Sequence, residues 1–241
     1  MNYKILPVGD SALTILFGDT IDPEISRIVR IARTYLTGKK IEGVREYVQT
    51  YASLMVHYDP TVIGYEELAD RIRTELSGMD QGGSETGKKT IVIPVCYGGE
   101  FGPDLPFVCE HAGLSEEEVI RRHCAPDYLI YMLGFMPGFV YLGGMDPSIS
   151  TPRLKNPRER LEKGSVGIAA NQTGIYPLVS PGGWQIIGRT PLELYDPDRE
   201  KAILYEAGEH IRFVPISPEK FADIRAQVEN GTYEYEWITE E

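Results

Sequence analysis

Near residue 89 the texture of this 241-residue chain changes, and that change constrains the fold more than any other feature. Before it, long runs alternate between strand and helix character. "DPEISRIVRIARTYLTG" opens on Asp22, a good N-cap, with Pro23 at the first helical position. Ile25, Ile28, Val29, Ala32, Tyr35 and Leu36 then recur at helical spacing, and Gly38 is placed to close the helix. "YEELADRIRTELSG" repeats the pattern with Leu68, Ala69, Ile72 and Leu76 on one face. "VREYVQTYASLMVHYD" is β-branched and aromatic, as a hairpin or two strands would be. After residue 89, helical runs give way to short β-type stretches broken by Gly and Pro. These are "YLIYMLGF", "GFVYLGG", "SVGIAA", "GIYPLV", "WQIIGRT" and "AILYEA". Many short strands with frequent turns favour a closed or nearly closed barrel. Two helices interrupt them. "SEEEVIRRHC" carries a capping box of Ser115 with Glu118, and "SPEKFADIRAQVENG" is capped by Ser217 with Pro218 behind it.

Between the two textures lies "GMDQGGSETGKK", the best linker in the chain. The expected organisation is therefore α+β. A small βαββαβ, ferredoxin-like unit spans residues 1–86, with helices on one face of an antiparallel sheet, and a barrel spans residues 87–241. The linker also imitates a phosphate loop, Gly82 through Lys88. Lys89 stands where Ser or Thr belongs, however, and neither a strand before nor a helix after it is evident.

Composition narrows the function classes. At 42% hydrophobic and 25% charged, the chain can bury a real core. A net charge of −12 argues against nucleic-acid binding, which needs a basic face to displace counterions. It leaves room for a small anion held by local arginines. No apolar run approaches the roughly 18 residues of a membrane span, and the N-terminus lacks the pattern of a signal peptide; the expected location is cytoplasmic. Cys96, Cys109 and Cys124 fit reduced thiols rather than a disulfide frame. Neither they nor the four histidines recur at metal-site spacing, so no metal is expected. The acidic tail "YEYEWITEE" reads as a solvated terminus or an edge strand.

Three segments stand out: "MLGFMPGFVYLGGMDP", "TPRLKNPRERLEKGSVGIAANQTGIYP" and "SPGGWQIIGRTPLELYDP". With "GDSALTILFG", "LMVHYDP" and "IPVCYGGEFGPDL", they resemble the family known as the 5-oxoprolinase B subunit, allophanate hydrolase subunit 1 or sporulation-kinase-A inhibitor. The likeness runs the length of the chain. It departs at Leu161-Glu162-Lys163-Gly164, where the family generally has Val-Pro-Ala-Gly, and at Ala169-Ala170-Asn171, where it has Ala-Gly. The resemblance implies that the barrel is cyclophilin-like. It implies two partners, a second cyclophilin-like protein known as the C subunit and a third known as the A subunit. Together with this chain they would open 5-oxo-L-proline to L-glutamate using ATP as co-substrate. Related possibilities are an inhibitor of a sporulation-type histidine kinase and a part of an allophanate hydrolase or urea carboxylase system. Prolyl isomerase activity does not follow from barrel type alone.

Opening a lactam needs donors aimed at developing negative charge. Arg153, Arg158, Gln172 and Thr173 are the candidate catalytic residues. Phe135, Pro137, Gly138, Phe139, Tyr141, Tyr176, Ser180, Gly183 and Trp184 are the candidate substrate-binding residues. Each has a plainer reading: the arginines tie down a proline-rich loop, Gln172 and Thr173 satisfy a tight turn, and the aromatics form barrel wall. His123 reads as a solvated helix-end histidine or a base, and Asp146 as the opening of a turn or a functional carboxylate.

Overall fold

The computed structural model describes residues 2–80 and 87–240. It divides into two compact units, Met1–Glu85 and Thr86–Glu241. The phosphate-loop imitation at residues 82–88 falls mostly outside the described residues.

In the first unit, β1 (Lys4–Val8) and β2 (Ala12–Leu16) precede α1 (Pro23–Lys39). Then come β3 (Val44–Gln49), β4 (Ser53–Tyr58) and α2 (Tyr65–Ser77). The sheet order is β1-β2-β4-β3, antiparallel throughout. The expected βαββαβ order is thus corrected to ββαββα. The two apolar runs of "YKILPVGDSALTILFG" meet at the turn expected at Gly9-Asp10, where Gly9 has φ 65, and each forms a strand of its own that the βαββαβ order did not count separately. The strand that follows α2 pairs in the other unit instead.

The core follows from periodicity. Leu13 and Ile15 on β2 and Leu54 and Val56 on β4 alternate inward. Val29, Ala32 and Leu36 from α1 and Leu68, Ile72 and Leu76 from α2 pack with them. The Asp22 carboxylate accepts from the amides of Glu24 and Ile25, as an N-cap should. At the other end, α1 runs past Gly38 to Lys39, and Lys40 takes the left-handed turn at φ 47.

In the second unit, β5 (Lys89–Tyr97) leads into α3 (Leu105–Ala112) and α4 (Glu116–His123). Strands β6 (Tyr128–Leu133), β7 (Val140–Gly143), β8 (Arg158–Leu161), β9 (Ser165–Ala169) and β10 (Gln172–Ile175) follow. Then come β11 (Ser180–Gly182), β12 (Gln185–Arg189), β13 (His210–Pro215), α5 (Pro218–Glu229) and β14 (Trp237–Thr239). The main sheet runs β10-β9-β12-β5-β13-β6-β7, and β10 lies beside β7, so the sheet nearly closes. Strands β8 and β11 form a separate two-stranded ribbon. The acidic tail supplies β14, paired with the start of β5. The barrel interior is filled by Ile91, Ile93, Val166, Ile168, Ile175, Ile187, Ile211 and Phe213.

Two expectations change here. "AILYEA" forms no strand, only isolated bridges at Ile203 and Ala207. Its Tyr205 is fully buried, and the phenol donates to the Gly138 carbonyl at 2.9 Å. Helix α3, absent from the periodicity reading, is eight residues long and too short to display a clear repeat.

Where β5 ends, the loop Gly98–Asp104 takes over its pairing with β12. The Gly98 amide donates to the Ile187 carbonyl, and the Asp104 amide to the Ile186 carbonyl, at 3.0 and 2.9 Å. Backbone meets backbone so closely that a Cβ on Gly102 would sit 1.9 Å from the Ile187 oxygen. Neither side can yield without breaking the ladder. Gly102→Ala is therefore expected to destabilise the protein by more than about 2 kcal/mol. Gly38→Ala, in a helix with open space around its Cβ, should stabilise by roughly 0.5–1 kcal/mol. Denaturant unfolding of the two variants checks both signs.

Candidate functional site

Most candidate residues converge on one side of the barrel, around an aromatic cluster separate from the main core. Phe139, Leu161, Ala169, Tyr176, Trp184 and Ile186 form it, with Met136 and Tyr141 packed against it. The rings meet edge to face. Phe139 lies 5.3 Å from Tyr176, 5.6 Å from Trp184 and 5.2 Å from Tyr141. These geometries place a positive ring edge on a negative ring face, which fixes orientation as well as burying area. Tyr176 is almost fully buried, and burial pushes its phenol up to about 12. It is a neutral wall, not a base.

Phe135 stands apart from that wall. It is 68% exposed, edge-on to Phe139 at 5.6 Å, and adopts φ 69. A bulky residue in the left-handed region is uncommon and costs backbone strain. The turn that imposes it is over-determined. Gly138 has φ 79, and a Cβ there would lie 3.1 Å from Tyr195 and 3.4 Å from Pro177. Its carbonyl is held by Tyr205. Pro137, exposed, completes the bend.

The polar candidates divide into two groups. Arg153 is exposed on the loop before β8, its guanidinium 5.8 Å from the Trp184 ring centre. It pairs with no carboxylate among the described residues. Its loop is tied down at three points: Ala170 amide to Thr151 carbonyl, Leu154 amide to Gly183 carbonyl, and the buried Gln185 amide group to Pro152 carbonyl. Gly183 sits against Leu154 and Pro157 in that contact. Arg158, on β8, forms a 2.6 Å ion pair with Asp104 through Nη2, while its buried Nη1 has no partner. The buried Ser180 hydroxyl on β11 has none either. Gln172 is half-buried at the β9–β10 turn, next to Ala170 at φ 49. Asp146 is a structural cap: its carboxylate accepts from the Ser148 amide and hydroxyl.

Thr173 is not part of this face, and its candidacy for catalysis is withdrawn. It is fully buried, and its hydroxyl donates to the Gly167 carbonyl at 3.0 Å. The same oxygen must then accept from His123 Nε2 at 2.8 Å. That fixes the tautomer: Nε2 carries the proton, and Nδ1 accepts from the Tyr97 phenol at 2.8 Å. Tyr97 in turn lies 3.3 Å from the Cys124 sulfur, whose S–H donates to it. His123 therefore belongs to a directed interior chain, stacked 4.7 Å from Phe213, and is not a solvated histidine. Pattern reading missed this because the last turn of a short helix looks exposed in sequence. It also missed Asp104, Gln185 and Tyr205, which hold the candidate side chains from behind.

Residues 3–205 match the family described as carboxyltransferase domain, subdomain C and D. The chain belongs to that family. It is 41% identical over 231 residues to the 5-oxoprolinase B subunit of Bacillus subtilis (strain 168), covering 92% of this chain and 96% of that protein. Among solved structures, TTHA0988 superposes at a TM-score of 0.77 with 35% identity, over 86% of this chain. This chain spans only 40% of TTHA0988. The K. lactis urea amidolyase superposes at 0.80 over 99% of this chain and 16% of its own, at 17% identity, a likeness of fold. No helix among the described residues is long and apolar enough to cross a membrane, and no group of three or more His, Cys, Asp or Glu there could hold a metal ion.

Burial lowers the His123 pKa to about 3. Unfolded, the imidazole protonates near 6.5. Between those values the unfolded state binds one more proton, so stability falls as pH drops below about 6.5. At pH 5 the loss from this group should be about 2 kcal/mol. His123→Gln should be less stable than wild type at pH 7.5 yet lose less between pH 7 and 5. The ion-paired carboxylate of Asp127, held at about 2 by Arg212, acts in a separate window below about 4. Chemical denaturation at pH 7.5, 7, 6 and 5 reads the difference.

Proposed function

We propose that this chain is the B subunit of an ATP-dependent 5-oxoprolinase, acting with an A subunit and with a second cyclophilin-like protein, the C subunit. The observation that carries the reading is the 41% identity to the Bacillus subtilis protein over nearly both full lengths. On this reading residues 1–86 and 87–241 act as two domains, the second a cyclophilin-like barrel, and the protein works in the cytoplasm.

The substrate is a compact lactam with a carboxylate. Transfer of the ATP γ-phosphoryl group to the lactam oxygen turns that oxygen into a leaving group. One water adds to the activated carbon and the ring C–N bond breaks, the nitrogen taking up the proton, which leaves an acyl phosphate. A second water then displaces phosphate, so both oxygens of the new carboxylate come from water. Negative charge must be met at two places, the substrate carboxylate and the transferring phosphoryl group. Arg153 suits one of these tasks, because a planar guanidinium presents two parallel donors to an oxyanion, and Arg158, held on Asp104, supplies a second fixed positive group. Gln172 and Ser180 supply neutral donors. Phe135, Pro137, Gly138, Phe139, Tyr141, Tyr176, Gly183 and Trp184 form the apolar wall and bends that exclude water. Among the described residues the arginines face no assembled nucleophile and base, which suits a site completed by a partner protein.

Mixing the three purified proteins with ATP and 5-oxoproline should yield glutamate, and omitting this chain should abolish it. Arg153→Gln should lower kcat/KM by roughly 10- to 100-fold, the loss of one hydrogen bond to a charged group. Undiminished glutamate formation without this chain would sink the proposal.

A further inference from the structure

Asp104 breaks a local rule. It occupies the N-cap position of α3, with Pro106 just inside the helix, where an aspartate ordinarily accepts from the first free amides. Here its side chain makes no capping bond. The residue is only 8% exposed, and its carboxylate is spent elsewhere. Oδ2 accepts from the Ile186 amide at 2.6 Å, and Oδ1 accepts from Arg158 Nη2 at 2.6 Å. The Asp104 amide completes the first contact by donating to the Ile186 carbonyl. One residue thus engages both the N–H and the C=O of Ile186 on β12 and holds a guanidinium on β8.

The consequence falls on Arg158. With Nη2 engaged, its Nη1 is buried and has no partner. A buried, unpaired guanidinium nitrogen is costly unless an acceptor arrives. A free arginine side chain would rotate that nitrogen into water. The charge-assisted bond to Asp104, itself immobilised by two backbone bonds to Ile186, stops it. Departures from local rules concentrate where function requires them.

We propose that Asp104 is a positioning residue. It fixes the Arg158 guanidinium, whose side chain is one-third exposed, so that the charge is held in place to meet an oxyanion of the substrate. This inference rests on the reading of Arg158 as a ligand-facing cation given above. An aspartate bracketed by backbone sets distance and angle more tightly than solvent-exposed pairing does. Because the bond to Asp104 is made before substrate binds, its loss should weaken binding of the ground state more than it slows turnover.

The test uses the assembled three-protein enzyme and a double-mutant cycle read in KM for 5-oxoproline and in kcat. In Asp104→Asn, the amide oxygen keeps the Ile186 contact and the ion pair is lost. It should raise KM about 10-fold with kcat within about twofold. Arg158→Gln should raise KM about 10- to 100-fold. The double variant should match Arg158→Gln alone, since Asp104 acts only through Arg158. Asp104→Glu keeps the charge but displaces the guanidinium, and should raise KM with unchanged kcat; it carries the test if Asp104→Asn does not fold. Full additivity in the double variant, or a wild-type KM in Asp104→Asn and Asp104→Glu beside a weakened Arg158→Gln, overturns this inference alone. Wild-type constants in Arg158→Gln overturn both the functional role of Arg158 and the positioning role built on it.

Discussion

The second unit depends on how close its backbones can come at the barrel seam. Strand β10 lies beside β7, and the approach is possible because position 174 has no side chain: a Cβ there would lie 2.9 Å from the Val140 carbonyl and 3.2 Å from Trp184. The same economy of space recurs at Gly102 against Ile187 and at Gly188 against the Cys96 carbonyl. Glycine in a strand ordinarily weakens it. Here each glycine admits a neighbouring backbone, and the return is a nearly closed sheet with few exposed edges. Several candidate side chains hang from turns whose positions this closure sets. The β6–β7 loop carries Phe135, the β9–β10 turn carries Gln172, and the chain leaving β10 carries Tyr176.

Legibility in the sequence followed the range of the interaction. Caps were readable because they are local: Asp22, Ser115 and Ser217 each accept from amides two or three residues ahead. The helical faces of α1 and α2 were readable for the same reason. The order of strands was not, since pairing β5 with β13 and β12 involves residues about a hundred apart. "AILYEA" shows the limit well. Its apolar content signals burial, which Leu204 and Tyr205 achieve without any ladder. Burial and strand pairing leave the same mark on composition.

The candidate site divided along similar lines. Residue types that suit anion recognition stood out, and Arg153, Trp184, Tyr176 and Phe139 do come together. What holds them in place was invisible, because it works across long separations. Asp104 and Arg158 are 54 residues apart, Tyr205 and Gly138 are 67 apart, and His123 and Thr173 are 50 apart. Thr173 is the instructive error. A threonine beside a glutamine in a glycine-rich turn looks like a donor set, but strand alternation sends neighbours to opposite faces. Thr173 therefore points to the interior, where His123 awaits it.

On the proposed function, an acidic protein that receives an anion faces a steering problem, since a net charge of −12 repels the ligand at long range. Screening removes much of that repulsion beyond about 8–10 Å at physiological salt. Recognition then falls to the last few ångströms, where a single arginine in a partly dry setting outweighs distant carboxylates. That places a premium on holding the arginine rigidly rather than on accumulating positive charge. Arg153 is braced by a loop tethered three times to its surroundings, and Arg158 by a carboxylate itself pinned to backbone. On the same reading, two well-held cations also discriminate. A ligand gains only if its oxyanions match their spacing, so the same charge balance that discourages nucleic acid favours one small, correctly shaped anion.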